Sequence, residues 1–123
     1  MKKSHRLIFS KKDIQDYATA SGDYNPIHLS EREAQQMGFK TCVVHGMLVM
    51  GRVGGIIRTQ YGSVALVKDY SMRFQAPVYL DSQNQLEVKF TEQELSFHLY
   101  SEDGTPVLKG KAVLSSREEA HHE

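Results

Sequence analysis

The chain is poor in cysteine, in net charge and in long apolar runs, and each shortage closes off a class of protein. A single cysteine, Cys42, excludes an internal disulfide and suits a reducing compartment, so the expected location is the cytoplasm. Fifteen basic side chains balance fifteen acidic ones, which leaves no net field to draw the chain to a polyanion, and nucleic acid is not an expected partner. The stretch with fewest charges, Cys42 to Ile57, is interrupted by His45, Arg52 and several glycines and falls short of a membrane span. Met-Lys-Lys-Ser-His-Arg resembles the basic start of a secretory signal, but only Leu7, Ile8 and Phe9 follow before Ser10, too few for its apolar part. Repeats and low-complexity linkers are also missing. At 123 residues and 40% apolar content, the expectation is one soluble module over 1–123, with a charged, frayed tail at 117–123.

What is present divides into an irregular, helical first half and a strand-rich second half, with the change near Tyr61-Gly62. Ser10 with Asp13 three positions on reads as a capping box, and Ile14, Tyr17 and Ala18 follow at helical spacing up to Gly22. A second helix is predicted from Glu31 to Met37, opened by Ser30 and Glu33 and stopped by Gly38. From Val43 to Tyr61 the apolar positions Val44, Leu48, Val53, Ile56, Ile57 and Tyr61 keep a helical period. Gly46, Gly51, Gly54 and Gly55 would together weaken such a helix by roughly 4 kcal/mol relative to alanine. A helix buried lengthwise in a wrapping sheet offsets that cost, because glycine admits close approach on several sides; a glycine-broken helix with a loop is the alternative.

Four strands are predicted at Val64–Gln75, Gln85–Glu92, Leu95–Ser101 and Val107–Ser115, with Asp103-Gly104 as a hairpin turn and Pro77 closing the first. Leu86, Val88 and Phe90 share one face of their strand, as do Phe97 and Leu99 of the next. The result is an α+β fold, one long helix on an antiparallel sheet of about five or six strands. Open strand edges and an uncovered face make a homodimer the natural expectation.

Asp23 and His28 stand five residues apart around a turn stiffened by Pro26, which also pushes Asn25 out of the helical region. A carboxylate and an imidazole held this way suit general acid/base work, although Ser-Gly-Asp and Asn-Pro are also ordinary turn chemistry. His45-Gly46, at the start of the long helix, adds unpaired backbone N–H groups able to stabilise a developing oxyanion.

Ser21-Gly-Asp-Tyr-Asn-Pro-Ile-His28, then Ala34, Gly38-Phe39, Val44-His-Gly-Met-Leu48 and Arg73-Phe-Gln-Ala-Pro-Val78, resemble the MaoC-like, R-specific enoyl-CoA hydratases of the hotdog superfamily, from about Phe9 to Leu114. The resemblance implies a hotdog fold, an antiparallel sheet wrapped around a long central helix, acting as a dimer on acyl thioesters of coenzyme A or acyl carrier protein. It implies a lyase that adds water to a trans-2-enoyl thioester or removes it from an R-3-hydroxyacyl thioester. Asp23 and His28 would be the catalytic dyad, and the Gly46 N–H would hold the thioester oxygen. Asn25 and His45 would support the site, although His45 by itself reads first as a structural residue at the helix entry, and Met47, with Met50, would bear on the acyl tunnel. No cofactor and no metal are implied. An acyl-carrier-protein dehydratase, or a noncatalytic acyl-thioester-binding module on the same fold, are the alternatives.

The chain departs from the family pattern twice: Gly51 stands where many members carry serine, and Pro77-Val-Tyr-Leu-Asp-Ser82 lacks the glycine of the usual turn. Of the other candidates, Cys42 reads as a small buried residue, and Arg52, Arg58, Lys68 and Arg73 read as surface or paired residues before phosphate ligands. His121 and His122 read as solvated.

Overall fold

The computed structural model describes residues 2–61 and 65–116, so the predicted tail at 117–123, His121 and His122, Gly62 and the first residue of the predicted strand at Val64 lie outside the described residues, as does the Lys68 side chain. Strand β1 (Lys2–Leu7) leads into helices α1 (Lys11–Ser21), α2 (Pro26–Leu29), α3 (Glu31–Gln36) and α4 (Gly46–Tyr61), followed by β2 (Ala65–Phe74), β3 (Asn84–Phe90), β4 (Glu94–Tyr100) and β5 (Pro106–Ser116). The strands form one antiparallel sheet in the order β1-β3-β4-β5-β2.

Alternation decides which face of the sheet is dry. Leu86 and Val88 of β3, Leu95, Phe97 and Leu99 of β4, and Leu108 and Ala112 of β5 are buried with Val49, Val53 and Ile57 of α4 in one hydrophobic cluster, and Phe90 packs against it. The pairings Leu86↔Leu99 and Val88↔Phe97 hold the β3–β4 register, because a slip of one residue would turn these side chains to solvent. At Gly110 a Cβ would collide with the Phe97 ring and the Ser71 carbonyl, so only glycine lets β5 pass beneath that ring.

Helix α4 is continuous, which settles the glycine question against a broken helix. Its burial is one-sided: Val49, Val53 and Ile57 recur every four residues along the core stripe. Gly46 and Gly54 lie against Phe74 and Tyr70 of β2, where a Cβ would sit 3.6 and 3.4 Å from the rings, whereas Gly51 and Gly55 have nothing within 4 Å. Those are ordinary contact distances that an alanine would also satisfy, so the close approach on several sides expected of these glycines is not found. The Tyr70 hydroxyl donates to the Met50 carbonyl at 2.9 Å, and burial pushes this phenol up to about 12, so it stays a donor.

The structure departs from the sequence reading at two elements. β1 was not predicted: of Lys2–Leu7 only Leu7 is buried, so no apolar alternation marks it, and the lysines suit an edge strand. α2 is a single turn, too short to show a period, with Asn25 as N-cap and Pro26 in its first position. α4 starts at Gly46, at the His45-Gly46 start read from the sequence, and 42–44 ahead of it is extended: the Val44 N–H donates to the Val78 carbonyl and the Leu80 N–H to the Cys42 carbonyl.

That extended segment ends beside the turn lacking the family's glycine, and Asp81, in the glycine's place, is the one non-glycine residue with positive φ (59°) among those described. The turn keeps its left-handed residue, and aspartate tolerates that region better than most side chains. Asp81→Gly should raise unfolding stability by up to about 1 kcal/mol, relief of strain being partly offset by glycine's greater unfolded-state entropy. Urea denaturation checks this.

Candidate active site

The site begins where α1 stops. Gly22, at φ 78°, caps α1 in the left-handed conformation and turns the chain away. A ladder of short-range bonds then fixes the loop: Ser21 Oγ accepts the Asp23 N–H at 3.1 Å, Asp23 Oδ1 accepts the Asn25 N–H at 3.1 Å, and Asn25 Oδ1 accepts the Ile27 N–H at 3.2 Å. Each is a side chain bonding the backbone two residues on, the chemistry of Asx and Ser turns. Asn25 thereby opens α2, which carries His28.

The segment before α4 docks on this turn. The Val43 N–H donates to the Ile27 carbonyl at 2.9 Å, and His28 Nδ1 lies 2.7 Å from the Val43 carbonyl. A carbonyl only accepts, so Nδ1 carries the hydrogen and, in the neutral ring, Nε2 keeps a lone pair. Nε2 stands 3.7 Å from Asp23 Oδ2, an ion-pair distance rather than a hydrogen bond. The His28 side chain is 10% exposed and that of Asp23 51%, so the imidazole is a fixed wall and the carboxylate faces solvent.

His45 lies beneath both. Its ring stacks on His28 with centroids 3.7 Å apart, and its Nε2–H donates to the Asp23 carbonyl at 3.0 Å. Gly46 follows as the first residue of α4, and its N–H and that of Met47 have no acceptor among the described residues. These groups form the positive end of a sixteen-residue helix. Tyr24, Met47 and Phe74, all exposed, add apolar surface to the elements that carry the site.

Asp23, His28 and His45 each offer a possible metal ligand within 4.8 Å of one another. The Val43 and Asp23 carbonyls hold hydrogens on His28 Nδ1 and His45 Nε2, so each ring keeps one nitrogen, His28 Nε2 and His45 Nδ1, with a lone pair to offer. Cys42 is buried and burial pushes its thiol up, so it is an inert core residue. Arg52 sits 3.5 Å from Asp13 and over the Phe9 ring, which ties it to α1 and to the link between β1 and α1, while Arg58 and Arg73 are exposed. Gly51 leaves open space where the family's serine would stand. The reading of the sequence missed the Val43 carbonyl, a backbone atom with no signature, and Tyr17, whose ring lies 4.8 Å from His45 but whose spacing suggested only helix packing.

Known proteins resemble this chain in sequence and in fold. The family model described as MaoC like domain matches residues 1–111. An (R)-specific enoyl-CoA hydratase of Rhodospirillum rubrum is 40% identical over 70 residues, covering 56% of this chain and 49% of that protein. A mitochondrial 3-hydroxyacyl-acyl-carrier-protein dehydratase of Arabidopsis thaliana is 38% identical over 73 residues, covering 59% of this chain and 43% of that protein. The chain thus matches less than half the length of these two curated relatives. The structure of an unliganded R-hydratase from Pseudomonas aeruginosa superposes with a TM-score of 0.83 at 26% identity, covering 94% of this chain and 79% of that one. The fold is the hotdog fold. Among the described residues no helix is long and apolar enough to cross a membrane.

The loop ladder makes Asn25 a cap whose loss is measurable. Asn25→Ala should lower unfolding stability by about 1 kcal/mol, the usual effect of losing an N-cap. Amide exchange should show faster opening at Ile27 and His28 than in α1.

Proposed function

This chain belongs to the MaoC-like domain family, and on that premise we propose that it catalyses R-specific hydration of trans-2-enoyl thioesters and the reverse dehydration of R-3-hydroxyacyl thioesters. The observation that carries the reading is the Asp23–His28 pair, with the His28 tautomer set by Val43 so that Nε2 faces the carboxylate. A water held by Asp23 and His28 Nε2 gives up a proton to the dyad as its oxygen bonds to the β-carbon. The alkene electron pair moves toward the thioester, and the dyad returns the proton to the α-carbon. Negative charge that builds on the thioester oxygen is met by the Gly46 N–H and the positive end of α4. Met47 and Phe74 supply apolar contact for the acyl group. The 3.7 Å gap in the pair suits an enzyme without substrate, since catalytic contacts often tighten only on binding.

Substrates carried by coenzyme A and by acyl carrier protein both fit, because relatives named for each match at similar identity. Comparing turnover of one enoyl group on the two carriers separates them. The noncatalytic reading predicts binding of both with no turnover.

We also propose a homodimer. β2, an edge strand ten residues long, is paired only to β5 among the described residues, and α4 leaves Met47, Gly51 and Gly55 uncovered. A second copy laid along β2 would close the edge and cover the helix.

Asp23→Asn should fold as the parent does and lose roughly a hundredfold or more in turnover of a trans-2-enoyl-CoA, followed by the fading enoyl absorbance. Near-normal turnover would remove the dyad from the mechanism. Sedimentation equilibrium should return twice the 14.0 kDa chain mass. A monomer at micromolar concentration would contradict the dimer.

A further inference from the structure

His45 touches both members of the pair. It is 2% exposed; its Nε2–H bonds the main chain of Asp23 at 3.0 Å, one ring face covers His28, and Tyr17 stands against it at 4.8 Å and 60°. The acceptors set the two rings as opposite tautomers. His28 is protonated on Nδ1 toward Val43, and His45 on Nε2 toward Asp23, since each acceptor is a backbone carbonyl. The remaining nitrogen of His45, Nδ1, is the only buried side-chain nitrogen or oxygen without a hydrogen-bond partner among the described residues. A lone pair taken from water with nothing to offset it is a penalty that an apolar ring would avoid. Packing alone therefore favours phenylalanine at this position, and what histidine adds is the Nε2–H.

We propose that His45 is the positioning residue of the dyad, tethering the backbone that carries Asp23 and fixing the plane in which His28 presents Nε2. This rests on the hydratase reading. The His28 ring has one other anchor, the Nδ1–H bond to Val43, about which it could tilt and carry Nε2 away from the carboxylate. A misplacement of about 1 Å at a reacting group can cost roughly a hundredfold in rate. Because His45 is buried beneath His28, its effect falls on turnover and not on substrate binding.

The test uses His45→Phe, which keeps a ring and loses the donor, and His45→Gln, which keeps an N–H donor and loses the ring. His45→Phe should keep the parent's melting temperature or exceed it, while kcat falls at least about tenfold and KM changes less than about twofold. His45→Gln should recover part of the lost kcat. Imidazole nitrogen NMR of the parent at about pH 8, above the ordinary histidine range, should show His45 protonated on Nε2 and His28 on Nδ1. The proposal is overturned by unchanged kcat in His45→Phe, by kcat losses that follow melting temperature equally in both variants, or by a His45 protonated on Nδ1. Absence of turnover in the parent would instead overturn the hydratase reading, while the tautomers, read without substrate, still decide whether His45 is the donor to Asp23.

Discussion

The hydrogen bonds of Val43 are the constraint on which the site depends. Its N–H and carbonyl both engage the turn that carries His28, one through the Ile27 carbonyl and the other through His28 Nδ1. On its far side Val43 bridges to Tyr79, so the same residue joins the Asp23–His28 turn to the connection between β2 and β3. One extended residue thus orients the imidazole, selects its tautomer and determines where α4 can begin. Backbone groups are well suited to this, because a carbonyl cannot donate and so leaves the ring no choice.

Helix α4 serves the core along one stripe and the site at its N-terminus. Val49, Val53 and Ile57 anchor it to the sheet, and Tyr70 bonds its Met50 carbonyl, so packing that begins in the first turn sets the position of the N-terminus. The N–H groups at Gly46 and Met47 are then aimed without needing side chains of their own. Phe74 lies in ordinary contact distance of Gly46, bringing an apolar ring to the groups that would receive the thioester. Gly51 and Gly55 have no such neighbour, and the helix pays for them unless a second copy covers that face.

Much of the fold was legible because its signals are local. Ser10 and Asp13 form the capping box read from their spacing, Gly22 ends α1 and Gly38 takes a left-handed conformation as expected, and the four later strands lie within a residue or two of their predicted limits. β1 and α2 were not legible, since one has a single buried side chain and the other is one turn long. At Asp81 the missing glycine raised doubt about the turn, and the structure answers it with an aspartate in the left-handed region.

From the sequence alone came the pair Asp23 and His28, the turn that keeps them near each other and the helix start at which Gly46 offers its N–H. These follow from covalent neighbours, because five residues around a proline and a glycine stop have few conformations to choose from. Only the tertiary structure decided which nitrogen of His28 faces Asp23, and that His45, seventeen residues further on, lies stacked against it. Both outcomes require a distant segment to dock on the turn, and that docking is driven by the core beneath α4 and the sheet, which no local pattern encodes.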